Sequence, residues 1–203
     1  QSFYHAASFY QDLFAVGSLT EGVDGALCGT FQQDQRVNAA LAETLATVPE
    51  LVQILSEVEA QERLGVAQPK PGYWFPRSGW LHPEAICRVM AGQHGVRLHE
   101  QCGEITLEQT ADGWRATNQA GQGWEASCAV IAAGTSSSLF PGLDWLPLQA
   151  IRGQTTQLPS DDVFSQLQAV LCHEGYIAPA QSGSHCIGAT FDLNNTDPEP
   201  GPE

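Results

Sequence analysis

Between residues 105 and 126 apolar and polar side chains alternate with a period of two. Ile105-Thr106-Leu107-Glu108, Trp114-Arg115-Ala116-Thr117 and Gly123-Trp124-Glu125 are separated by turn signals at Asp112-Gly113 and Ala120-Gly121. Alternation punctuated this way predicts a three-stranded antiparallel meander. The next run, Cys128 to Ala133, is apolar throughout and ends on Gly134. Such a run predicts a strand covered on both faces. A period near 3.6 places Phe3, Ala6, Ala7, Tyr10, Leu13 and Phe14 on one face of a helix over residues 2 to 14. Further helices are predicted over Gln35 to Thr47, over Pro49 to Glu62 with proline in the first turn, and from Pro83 to about Gln93 with Ile86, Val89 and Met90 on one face.

The remaining apolar stretches are short. Gly22 to Gln32 suits a strand pair, Tyr73-Trp74-Phe75 an aromatic strand after the breakers Pro69, Pro71 and Gly72, and Val96 to His99 another strand. Later strands are predicted near Pro147 to Leu158, Ala169 to Cys172, Tyr176 to Ala178 and His185 to Phe191, with Ser182-Gly183 as a turn. The segment Asp192 to Glu203, with Asn194, Asn195, Pro198, Pro200 and Pro202, reads as loop.

Composition changes this picture in two respects. In 203 residues, 8 Lys and Arg against 23 Asp and Glu leave a net charge of −15, which disfavours phosphate and anionic lipid as direct partners of this segment. No apolar stretch reaches the ~20 residues that span a bilayer, and the first residues lack the features of a signal peptide. A soluble, cytoplasmic protein is therefore expected. Cys28, Cys87, Cys102, Cys128, Cys172 and Cys186 form no Cys-x-x-Cys and are read as free core thiols. Three disulfides would be the alternative in a secreted chain. His82, His94, His99 and His185 have no metal-ligand spacing, so no metal is expected. Arg152, between Ile151 and Gly153, should be paired, and a structural ion pair is its expected role. Trp74, Trp80 and Phe75 could stack on a nucleobase, but an aromatic cluster around proline fits a core or interface better. His173 and Glu174 are given no chemical role.

A strand ending in Ala132-Ala133-Gly134 allows a backbone to approach a ligand closely, yet alone it describes many core strands. Its context is more specific. Gly72-Tyr73-Trp74-Phe75-Pro76 with Gly79-Trp80-Leu81-His82-Pro83, then Pro147 to Gln154, Gly175-Tyr176-Ile177-Ala178-Pro179 and Ile187-Gly188-Ala189-Thr190 occur in one order over residues 72 to 192. In that order they resemble the FAD-dependent D-amino acid oxidase (DAO) family. Val170 to Pro179, His185 to Thr190 and Asn195-Thr196-Asp197 look most like the branch whose oxidase half is fused to a methyltransferase and acts on tRNA.

The resemblance implies an α+β fold: a mixed β-sheet substrate domain with flanking helices, plus a truncated α/β FAD-binding portion containing the meander. It implies substrate-domain portions at 1–82 and 147–203 and a partial FAD-binding portion at 83–146. Implied also are the cofactor FAD, a tRNA substrate, an S-adenosylmethionine-dependent methyltransferase domain as partner, and removal of a carboxymethyl group from a wobble-uridine side chain. Tyr176 is the implied substrate-side catalytic residue. Glu104, by its main chain, Ala133 and Gly134 are the implied cofactor-binding positions. The family's Gly-x-Gly-x-x-Gly and its later Gly-x-Arg-Pro segment do not occur in this sequence, so a central piece of a longer chain is expected. A glycine or amino-acid oxidase of the same family, and a noncatalytic binding domain keeping the architecture, stay open as alternatives.

Overall fold

In the computed structural model residues 2–34, 36–67, 70–193, 195, 197 and 199–201 are described. The turn residue Pro69, the helix start at Gln35, and Asn194, Thr196, Pro198, Pro202 and Glu203 of the predicted terminal loop lie outside them, as do the side chains of Ser2 and Phe3. The elements in chain order are α1 (Ser2–Ala15), β1 (Gly25–Ala26), β2 (Thr30–Gln33), α2 (Ala39–Leu45), β3 (Gln53–Leu55), α3 (Glu57–Leu64), β4 (Gly72–Phe75), β5 (Trp80–Leu81) and α4 (Pro83–Ala91). There follow β6 (Ile105–Thr110), β7 (Gly113–Asn118), β8 (Gly123–Ala126), a 3-10 turn (Gly134–Leu139) and β9 (Ile151–Arg152). The last are β10 (Thr155–Pro159), β11 (Val170–Cys172), β12 (Tyr176–Ile177), β13 (Ser184–Gly188) and β14 (Asp192–Leu193).

The chain divides into two units. The first comprises Gln1–His94 and Gly153–Phe191, the second Gly95–Arg152 and Asp192–Glu203. The first is built on a seven-stranded mixed sheet in the order β10-β13-β12-β11-β2-β4-β3, in which only β11 and β2 run parallel. Because residues directly opposite each other across strands share a face, register divides the sheet's side chains into two sets. Phe31 stands opposite Trp74 and Leu171, and Leu171 opposite Ile177. This face carries the core, where Phe31, Leu55 and Trp74 pack with Ala60 and Leu64 of α3 and with Leu167 and Ala169. On the other face Cys172 stands opposite Gln32 and Tyr176, and Gly188 opposite Tyr176 and Thr155.

Local chemistry fixes the ends of α3. Ser56 Oγ accepts the Glu59 N–H at 3.4 Å and the Glu59 carboxylate accepts the Ser56 N–H at 2.9 Å, a complete capping box. At the far end Gly65 has φ +73°, and a Cβ there would lie 2.3 Å from the Gln166 carbonyl oxygen. Glycine is therefore required by both conformation and space. The predicted helix over Pro49 to Glu62 is corrected by this arrangement: its first part is a turn followed by β3, held by β4, and the helix proper begins after the Ser56 cap. Asn38 caps α2 by accepting the Leu41 N–H at 3.1 Å, so that helix starts later than Gln35.

The pair predicted within Gly22 to Gln32 forms two strands that do not pair with each other: β1 joins β5, and β2 joins β4 and β11. His185 is fully buried, yet both ring nitrogens are bonded. Its Nδ1–H donates to the Ala178 carbonyl at 2.8 Å, which leaves Nε2 to accept from the Ser160 hydroxyl at 3.1 Å.

The second unit contains the predicted meander, β6-β7-β8, with Leu107, Ala116 and Trp124 in one cross-strand row. Val96 to His99 form no strand, and neither do Cys128 to Ala133. Val130 is 92% exposed, so the expectation of a buried strand there is corrected. Among the described residues no neighbouring strand pairs with the segment, and an apolar run without a ladder has nothing to bury it. The strand predicted from Pro147 to Leu158 is split into β9 and β10. Asp192-Leu193, read as loop, pairs with β9 as β14. Arg152 is ion-paired with Asp192 at 3.4 Å and donates to the Glu199 carbonyl at 2.8 Å. All six cysteines are free, but none is fully buried, and Cys87 and Cys128 are exposed, which corrects their reading as core thiols.

Candidate active site

The sheet face opposite the core borders a cavity of about 800 Å³ within the first unit. Its wall comes from β10, β11, β12 and β13, and Trp80 and Leu81 of β5 and His82, the N-cap of α4, also line it. Alternation puts these residues there. Buried Phe31 and partly buried Leu171 and Ile177 face the core in their strands, and Thr30, Cys172 and Tyr176 are the neighbours that face the other way. Among the described residues no carboxylate, lysine or arginine lines the cavity; its titratable groups are His82, Cys172, Tyr176 and Cys186.

Tyr176 lies at the centre of this wall. Its hydroxyl is 3.8 Å from Cys186 Sγ, and burial, followed by that hydrogen bond, pushes its pKa above the ordinary phenol value. Burial likewise raises the Cys172 thiol, so both groups are neutral at physiological pH. A neutral phenol can donate one hydrogen bond to a carboxylate or carbonyl oxygen while its ring walls an apolar space. Thr155 and Gln157 on β10 add uncharged donors and acceptors to the same wall. The indole Nε1 of Trp80, another lining residue, is buried without a partner among the described residues.

The other three expected site residues belong to the second unit. Gln119 Nε2 donates to the Glu104 carboxylate at 2.9 Å, so that side chain is engaged at the surface. Ala133 and Gly134 are exposed, with the Ala133 N–H donated to Ser137 Oγ at 3.2 Å. Gly134 has φ +57°, and a Cβ on it would meet nothing within 4 Å. This bare backbone, flanked by small residues and free of strand pairing, is compatible with close approach by a nucleotide. Among the described residues, no three His, Cys, Asp or Glu side chains group as a metal site, and no helix is long and apolar enough to cross a membrane.

Of the wall residues, Tyr176 is the one expected from the sequence; Cys172, Cys186, Thr155 and Gln157 are not. A signal was present, because each stands an even number of positions from another wall residue or directly opposite one. Pairing β10 with β13 in the correct register was what the sequence did not supply.

Comparison with known proteins identifies the family. The chain is 35% identical over 190 residues to the tRNA 5-methylaminomethyl-2-thiouridine biosynthesis bifunctional protein MnmC of Stutzerimonas stutzeri, a match covering 91% of this chain and 28% of that protein. The chain thus spans little more than a quarter of that curated relative. Among solved structures, glycine oxidase from Bacillus cereus superposes with a TM-score of 0.75 at 18% identity, over 96% of this chain and 57% of the other. Glycine oxidase from Geobacillus kaustophilus gives 0.72 at 19% identity, over 97% and 56%. The family profile of FAD dependent oxidoreductases, DAO, matches residues 9–203, and the chain belongs to that family.

Proposed function

We propose that this chain is the part of an FAD-dependent oxidoreductase that forms the substrate-side wall for oxidation of a C–N bond in a secondary amine. The preferred substrate is a carboxymethylaminomethyl group on the wobble uridine of tRNA, oxidised to an imine that water hydrolyses to the aminomethyl group and glyoxylate. The observation that carries this reading is the mainly apolar wall around Tyr176, in which the described residues include no carboxylate, lysine or arginine. Bound FAD would supply the acceptor for a hydride leaving the carbon beside the amine nitrogen. The chain's own residues would bind and orient: the Tyr176 hydroxyl donates to the substrate carboxylate, and Thr155 and Gln157 offer further hydrogen bonds. With no carboxylate or ammonium among the described lining residues, the wall does not compete for that carboxylate or for the amine. Ala133 and Gly134 would let the nucleotide approach the main chain, and the backbone near Glu104 would pass its adenine end. The 35% identity to a bifunctional protein of tRNA 5-methylaminomethyl-2-thiouridine biosynthesis favours tRNA as substrate, and the family resemblance adds a methyltransferase domain as partner.

A second reading, oxidation of glycine or another free amino acid, is favoured by the glycine oxidase superpositions. The test is to purify the protein with FAD, record its flavin spectrum, and measure glyoxylate released from tRNA carrying the carboxymethylaminomethyl group, from glycine and from sarcosine. Release from the tRNA supports the first reading, and turnover of the free amino acids alone supports the second. Absence of a flavin spectrum together with no turnover overturns both. In the active protein Tyr176→Phe should raise KM about tenfold, the loss of one hydrogen bond to a charged group.

A further inference from the structure

Two glycines that flank the wall tyrosine have no role in the chemistry described above, and both stand where a side chain would collide. A Cβ on Gly188 would lie 2.8 Å from Thr155 Cγ2, 3.0 Å from the Tyr176 hydroxyl oxygen and 3.1 Å from Tyr176 Cε1. A Cβ on Gly175 would lie 2.6 Å from the Gly188 carbonyl oxygen. Neither glycine has a positive φ, so the left-handed region is not what calls for glycine at either place. Space does. Tyr176 and Gly188 are direct cross-strand partners, and the ring lies over the strand at the missing side chain. From there the hydroxyl reaches Cys186, two residues back along β13. A glycine inside a strand weakens it and often marks close approach by another group, and here that group is the functional tyrosine. We infer that Gly188 is a positioning residue: its lack of a side chain selects the conformation of Tyr176 that holds the hydroxyl beside Cys186 in the cavity wall. Gly175 supports the same arrangement by letting β12 come close to β13.

This rests on the reading of Tyr176 as the substrate-side residue, and it is testable without turnover. In Gly188→Ala the added methyl displaces the ring and uncovers Cys186. Alkylation of Cys186 by iodoacetamide, followed by peptide mass spectrometry with exposed Cys87 and Cys128 as internal references, should then rise about fivefold, the factor that one lost hydrogen bond carries. Tyr176→Ala should give the same rise, and Gly188→Ala added to Tyr176→Ala should give no further one. In the FAD-loaded protein Gly188→Ala should raise KM for the carboxylate-bearing amine as Tyr176→Phe does. An unchanged Cys186 rate in Gly188→Ala, or an equal further rise in the Tyr176→Ala background, overturns the inference. If Gly188→Ala does not fold, as judged by circular dichroism, the same comparison in a Thr155→Ser background removes the methyl it would meet at 2.8 Å. Coupled alkylation in a protein that oxidises no amine keeps the Gly188–Tyr176 coupling and removes the oxidase reading.

Discussion

Replacing Phe31 by alanine tests the division of the sheet into a packed face and a cavity face. Phe31 is 0% exposed and sits opposite Trp74 and Leu171 in the middle of the core. A phenylalanine removes roughly 150 Å² of apolar surface from water, worth about 4 kcal/mol at about 25 cal/mol per Å². The methyl of alanine retains a small part of that, and the hole left behind adds to the loss, so a cost of about 3–5 kcal/mol is expected. That is a large share of the roughly 5–15 kcal/mol that holds a typical protein folded. Thr30, the preceding residue on the same strand, lines the cavity, and its replacement by alanine should cost under about 1 kcal/mol. Urea unfolding of the 203-residue chain followed by tryptophan fluorescence measures both, since Trp74 and Trp80 report on the first unit. A loss below about 1.5 kcal/mol for Phe31→Ala, or equal losses at the two positions, would refute the assignment of faces.

Ser56→Ala should remove the capping box of α3, lower the thermal midpoint by about 3 °C, and let the Glu59 carboxyl, now held below its ordinary pKa by Ser56, move back up in an NMR titration. Stability should also decline on the alkaline side. Cys172 is raised above its ordinary 9.0 and Tyr176 above its ordinary 10.0. The folded state therefore keeps protons that the unfolded state releases, so this contribution is full below the ordinary values and is lost as pH rises through the raised ones. Melting curves from pH 8 to 11 should fall less steeply for Cys172→Ala than for the parent chain, and identical slopes would refute the shift.

The elements legible in the sequence are those fixed by neighbours in the chain. The meander was readable because Thr110 and Gly113 pair across a two-residue turn, and each strand alternates over several residues. Pro83 marks the start of α4 correctly. Ile54 and Leu55, by contrast, fall at spacings that suit a helix as well as a strand, and only pairing with Tyr73 and Gly72 decides between them. The Ser56 and Glu59 signature was present in the sequence and would have set the helix start. The run ending at Gly134 shows the reverse problem: apolar composition signals burial only if another strand reaches it, and sequence pattern does not report that. For the site, Tyr176 was visible through family likeness, whereas Gly188 gained its meaning only once β12 and β13 were placed side by side.

The parallel ladder between β2 and β11 joins residues 30–32 to residues 170–172, and this has a consequence during synthesis. The early ribbon β3-β4-β2 emerges from the ribosome long before its partner, with the edge of β2 and the ring of Phe31 uncovered. Long-range pairings of this kind close slowly, and an open apolar edge in the meantime invites association between nascent chains. Trigger-factor-like chaperones that shield hydrophobic ribbons should therefore raise the soluble yield of this chain, and slower translation before the codon for Val170 should lower it.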